Sequence, residues 1–109
     1  MFSDEDYKRA IGDFVAYLRT ITSQKNLAFF SDVSREYIRS LGKGEGIPTV
    51  KVFFSMIDAA GLDIIEGTRR YLSFLEESHK LQAAEKSAAI NYVRTAKIEG
   101  SGSPRKKFR

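Results

Sequence analysis

The sequence predicts an all-α protein, a bundle of five helices with an extra long helix at its C-terminal end. Three observations carry this. Apolar residues recur at steps of three and four in one segment after another. Ser3, Ser34 and Thr49 each stand just ahead of such a segment, where a side-chain oxygen can accept from the first orphan backbone N–H groups. No run alternates apolar and polar residues as a half-buried strand would, and no internal repeat is present.

The first helix is read over residues 4–21. Tyr7, Ile11, Phe14, Val15, Leu18 and Ile21 form its apolar stripe, Ser3 caps it, and Asp4, Glu5 and Asp6 suit the positive end of the helix dipole. A polar break, Thr22-Ser23-Gln24-Lys25, precedes the apolar group Leu27, Ala28, Phe29 and Phe30 of a short second helix. Ser34 caps a short third helix through Leu41. There Tyr37, Ile38 and Leu41 face inward, while Arg35, Glu36, Arg39 and Ser40 face outward. Gly42-Lys43-Gly44-Glu45-Gly46-Ile47-Pro48 is a connector, because three glycines and a proline make a helix costly there. Thr49 caps the fourth helix, rich in Val50, Val52, Phe53, Phe54, Met56 and Ile57, which stops at Gly61. Leu62-Asp63-Ile64-Ile65 is a short apolar link. From about Thr68 to Lys97 neither Gly nor Pro occurs, which gives one helix of about 30 residues or two with a bend near Ser78–Gln82. Residues 99–109 read as a flexible basic tail.

Composition narrows the chemistry. A chain of 109 residues holds one compact domain and at most an appended helix or tail. It contains no cysteine, which excludes disulfides, thiolate metal sites and thiol nucleophiles. Its single histidine, His79, is expected to be a solvent-exposed helix residue, and the adjacent Glu76 and Glu77 diverge on a helix instead of forming an acid/base pair. With no nucleophile–base pair, an enzyme is not expected, nor is a cofactor or metal. No apolar stretch approaches the roughly 20 residues of a membrane span, and the acidic N-terminus lacks a signal-peptide core, so a cytoplasmic location is expected and a membrane partner is not. Charge is uneven. Of the net +4, residues 1–66 contribute −2 (8 basic, 10 acidic) and residues 67–109 contribute +6 (10 basic, 4 acidic), with Arg105, Lys106, Lys107 and Arg109 at the very end.

Two short helices joined by a tight turn describe a helix-turn-helix, and the residues become specific between 23 and 64. Ser23-Gln24 ahead of Leu27-Ala28, the run Val33-Ser34-Arg35-Glu36-Tyr37-Ile38-Arg39-Ser40-Leu41, the Gly42-Lys43-Gly44 to Pro48-Thr49 connector and Ala60-Gly61-Leu62-Asp63-Ile64 follow one another in order. Together they resemble the lambda-repressor/Cro-like family of helix-turn-helix regulators, which includes helix-turn-helix antitoxins. The likeness covers residues 11–64. Phe29 and Phe30 are bulkier than the family's usual residues, and Asp32 stands where a turn glycine with positive φ is usual; Asp tolerates that conformation better than most residues.

The resemblance implies a sequence-specific double-stranded DNA-binding regulator, a dimeric repressor, organised as a DNA-binding domain over 4–66, a helical dimerisation segment over 67–98 and the tail over 99–109. On the third helix, Arg35, Glu36 and Ser40 are the expected base contacts: Arg pairs bidentately with guanine and Glu accepts from a cytosine amino group. Gln24, Lys25, Ser34, Arg39 and Lys43 are the expected phosphate contacts, which set register without reading sequence. Arg35, Glu36 and Arg39 could equally form an ordinary solvated helix face. In the long C-terminal helix, Tyr71, Phe74, Leu75, Leu81, Ala88 and Tyr92 are the expected homodimer interface, against the alternative of a helix packed on its own domain. Two variants stay open: an antitoxin that represses its own operon and binds a toxin protein, and a protein-interaction module that keeps the fold without binding DNA.

Overall fold

A computed structural model describes residues 1–99, with side chains through residue 85. Among the described residues there are five helices and no strand: α1 (Asp4–Leu18), α2 (Gln24–Ser31), α3 (Arg35–Gly42), α4 (Val50–Ala59) and α5 (Ile64–Glu99). The long C-terminal helix is itself the fifth, not an addition to a five-helix bundle. Its start also differs from expectation. Asp63 Oδ2 accepts from the backbone N–H of Ile65 and Glu66 at 3.0 and 3.2 Å, so the helix opens at Ile64 inside what the sequence presents as a link. It then runs as one helical element to Glu99.

The chain divides into two compact units, Met1–His79 and Lys80–Arg109. In the first, Ile11, Phe14, Val15 and Leu18 of α1, Leu27 and Ala28 of α2, Ile38 and Leu41 of α3, and Met56 and Ile57 of α4 form one buried cluster. These positions are spaced so that each helix sinks one stripe inward, which is what makes otherwise marginal short helices stable. An aromatic group closes one side: the Phe14, Phe53 and Tyr71 rings lie 5.1–5.8 Å apart between centroids.

The caps follow the sequence closely. Ser3 Oγ accepts from Asp6 N–H while Asp6 Oδ2 accepts from Ser3 N–H, a reciprocal capping box; Ser34 and Thr49 accept from Tyr37 and Val52 N–H. Gly61 has the positive φ, 74°, expected after α4. α1 is shorter than its periodicity suggests. It closes at Leu18, where the N–H groups of Thr20 and Ile21 turn back on Tyr17 and Leu18 carbonyls, and Ile21 is left exposed.

His79 is a helix residue with 44% of its side chain exposed, but it is not without a partner: its Nδ1 lies 3.0 Å from Oδ2 of Asp6, a buried carboxylate. One further expectation is corrected. Tyr71, Phe74 and Leu75 do not form an open dimer face. Leu75 is buried, and Tyr71 and Phe74 pack against the same chain's core. Leu81 is exposed, whereas the side chains of Ala88 and Tyr92, like the basic tail, lie outside the described residues.

Candidate nucleic-acid interface

α2 and α3 are joined by Asp32-Val33-Ser34. Asp32 takes the left-handed conformation (φ 57°, ψ 42°), the only non-glycine residue with positive φ among those described, and it lets the chain reverse within a few residues. Val33 N–H then reaches back to the Ala28 carbonyl at 3.1 Å, and Ser34 opens α3. A second tie crosses the turn. Gln24 Nε2 donates to the Arg35 carbonyl at 3.2 Å, joining the first residue of α2 to the first residue of α3. The two helix starts are therefore held side by side.

Burial sets which way α3 faces. Ile38 and Leu41 are fully buried and Tyr37 is half-buried against the core, so Arg35, Glu36 and Arg39 point to solvent. The predicted outward set is thus outward, with Ser40 half-buried at its edge. Its members differ in freedom. Arg39 Nη1 donates to both Glu36 carboxylate oxygens at 2.9 and 3.0 Å, so Glu36 and Arg39 satisfy each other. Arg35, Lys25 and Lys43 are exposed, and among the described residues none of them lies in an ion pair. Ser34 Oγ accepts from Tyr37 N–H within α3, which leaves its hydroxyl proton to donate, while Gln24 gives one of its two amide N–H donors to the Arg35 carbonyl across the turn.

The structure adds residues that the sequence reading left out. An open depression of about 580 Å³ beside the turn is lined by Lys25, Arg35, Ser23 and Asn26 together with Ala28, Phe29 and Val33. Phe29 and Phe30 are 75% and 58% exposed, far from ordinary for phenylalanine, and their rings meet edge-on at 5.1 Å. The signal for this was present: α2 sinks Leu27, Ala28 and Ser31, and on a helix of that length Phe29 and Phe30 cannot share the same face.

The arrangement offers exposed cations near the starts of α2 and α3, an internal ion pair on α3, and a depression in which apolar side chains lie beside Lys25, Arg35, Ser23 and Asn26. It contains no acid/base pair and no group of three metal-ligating side chains among the described residues. Compared with known proteins, the chain matches no family model, no curated protein and no solved structure.

Proposed function

We propose that the chain is a sequence-specific double-stranded DNA-binding regulator, with α2 and α3 acting as a helix-turn-helix and α3 entering the major groove. The observation that carries this reading is Arg35: exposed, outside any ion pair among the described residues, and fixed at the first turn of α3 by the Gln24 tie to its own carbonyl. A guanidinium at that end of a groove-bound helix can pair bidentately with a guanine, a contact worth about 1–3 kcal/mol of discrimination. Lys25 and Lys43 supply phosphate contacts on either side. The order of residues resembling lambda-repressor/Cro-like regulators supports the same reading. Repression by a homodimer on paired half-sites follows from how little surface one such helix buries. For that pairing, Leu81, Ala88 and Tyr92 of the original set remain, since Tyr71, Phe74 and Leu75 serve the core.

A second reading is favoured by one observation, the exposed Phe29–Phe30 pair in a region whose formal charge is −2 over residues 1–66. It is a protein-interaction module, of which an antitoxin holding a toxin is one form. Salt separates the two. Duplexes selected from a random library should lose affinity by orders of magnitude between about 50 and 200 mM salt, and Arg35→Ala should abolish the preference for the selected sequence. A chain that enriches no duplex at low salt leaves the interaction module as the better reading.

A further inference from the structure

Within the DNA-binding reading, on which this inference rests, we infer that Phe29 reads the 5-methyl group of a thymine. Three features point to it. Phe29 is the most exposed aromatic ring in α2, and it is held edge-on by Phe30 at 5.1 Å, so its position is set by a neighbouring side chain as well as by the helix. It shares its depression with Ala28 and Val33 on the apolar side, and with Lys25, Arg35, Ser23 and Asn26 on the polar side. Neither cation lies in an ion pair among the described residues, so both are free to meet anions.

That combination matches one feature of duplex DNA. Along the major groove the base edges offer hydrogen-bonding groups, and the thymine methyl is the one apolar group there, flanked by the phosphates of its own strand. An apolar surface beside two cations accepts such a methyl while the cations hold the neighbouring charges. Against the phenyl face itself, away from Ser23 and Asn26, a cytosine amino group or guanine carbonyl would lose water and gain no partner. Charge favours this occupant over a purely apolar protein segment, which would leave Lys25 and Arg35 without a counter-charge.

The test uses the full chain. A duplex is selected from a randomised library at about 50 mM salt, and each thymine in it is then replaced, one at a time, by deoxyuridine, which lacks only the methyl. At one position the replacement should weaken wild-type binding about fourfold, the factor that burial of one methyl supports. Phe29→Ala should bind the two duplexes equally, and Phe29→Leu should retain part of the preference. Because Phe29 lies outside the buried core, both variants should keep the wild-type circular dichroism spectrum. If the wild type selects a duplex and no thymine replacement separates it from Phe29→Ala, the inference falls while the DNA-binding reading stands. If no duplex is enriched, both fall.

Discussion

His79 Nδ1 lies 3.0 Å from Asp6 Oδ2, joining α5 to the first turn of α1 across 73 positions of sequence. The same oxygen accepts the Ser3 backbone N–H at 2.9 Å, while Oδ1 is buried with no hydrogen-bond partner. The Ser3 backbone bond, and after it the His79 bond, hold the Asp6 carboxyl below its ordinary value of 3.8. A carboxyl depressed on folding contributes stability that is complete above the unfolded value and drains away as pH falls through the folded one. The contribution of Asp6 should therefore be intact above about pH 4 and lost below it. Asp6→Asn should lower the melting temperature at pH 7 and flatten the acid limb of the stability curve. His79→Ala should raise the Asp6 titration midpoint, read by carboxyl carbon NMR.

Tyr71 titrates at the other extreme. Burial, and after it the nearby Tyr7, push its phenol up to about 12. Below about pH 10 both folded and unfolded chains keep this group neutral; between 10 and 12 only the unfolded chain ionises it, so stability should fall across that interval. Absorbance at about 295 nm should show one of the five tyrosines ionising late, and Tyr71→Phe should remove that step.

Gly67 is where α5 meets α4. A Cβ added there would lie 2.6 Å from Ile57 Cγ2 and 2.9 Å from both Cγ1 and Cδ1, and Ile57 is fully buried with no room to retreat. Alanine would raise helix propensity by about 1 kcal/mol, but overpacking of a buried contact costs about 1–3 kcal/mol and should win. Gly67→Ala should lower the melting temperature by several degrees. Adding Ile57→Val should recover part of the loss, a non-additivity that a double-mutant cycle measures directly.

At Asp32 the backbone itself is the constraint. A left-handed residue with a Cβ costs about 1–2 kcal/mol, and its carboxylate also sits unfavourably at the negative end of α2. Asp32→Gly should therefore stabilise the protein by about 0.5–1 kcal/mol in denaturant unfolding, and Asp32→Val should destabilise it by more than that.

Glu36 and Arg39 make a prediction about binding. Their side chains are 78% and 48% exposed, so breaking the pair should change stability by less than about 0.5 kcal/mol. Glu36→Gln releases Arg39 from its carboxylate. Under the proposed function this should tighten duplex binding and steepen its salt dependence by about one unit, read from titrations at several salt concentrations.

The sequence made legible whatever is governed by local chemistry. Ser3, Ser34 and Thr49 cap where capping residues should, and the inward stripe of α3 is the one its spacing gives. The need for positive φ at residue 32 was also visible. What escaped depends on contacts between distant segments. Periodicity carries α1 to Ile21, yet nothing packs over that residue, and the helix stops at Leu18. The apolar residues of α5 suggest a face for a second copy, but spacing alone cannot say that Tyr71 and Phe74 are claimed by Phe14, Phe53 and Tyr17. A lone histidine looks unattached until the fold brings Asp6 to it.

The compact body that begins at Met1 ends at His79, in mid-helix, while the helical backbone of α5 continues to Glu99. Starting a helix is the costly step and lengthening one is nearly free. Residues 80–99 therefore inherit an already wound turn from the folded body. As a separate peptide the same twenty residues would have to wind their own, and most copies would stay uncoiled. The body is in this sense the mould from which the remainder of α5 grows, and a lesion that melts the former should unwind the latter with it.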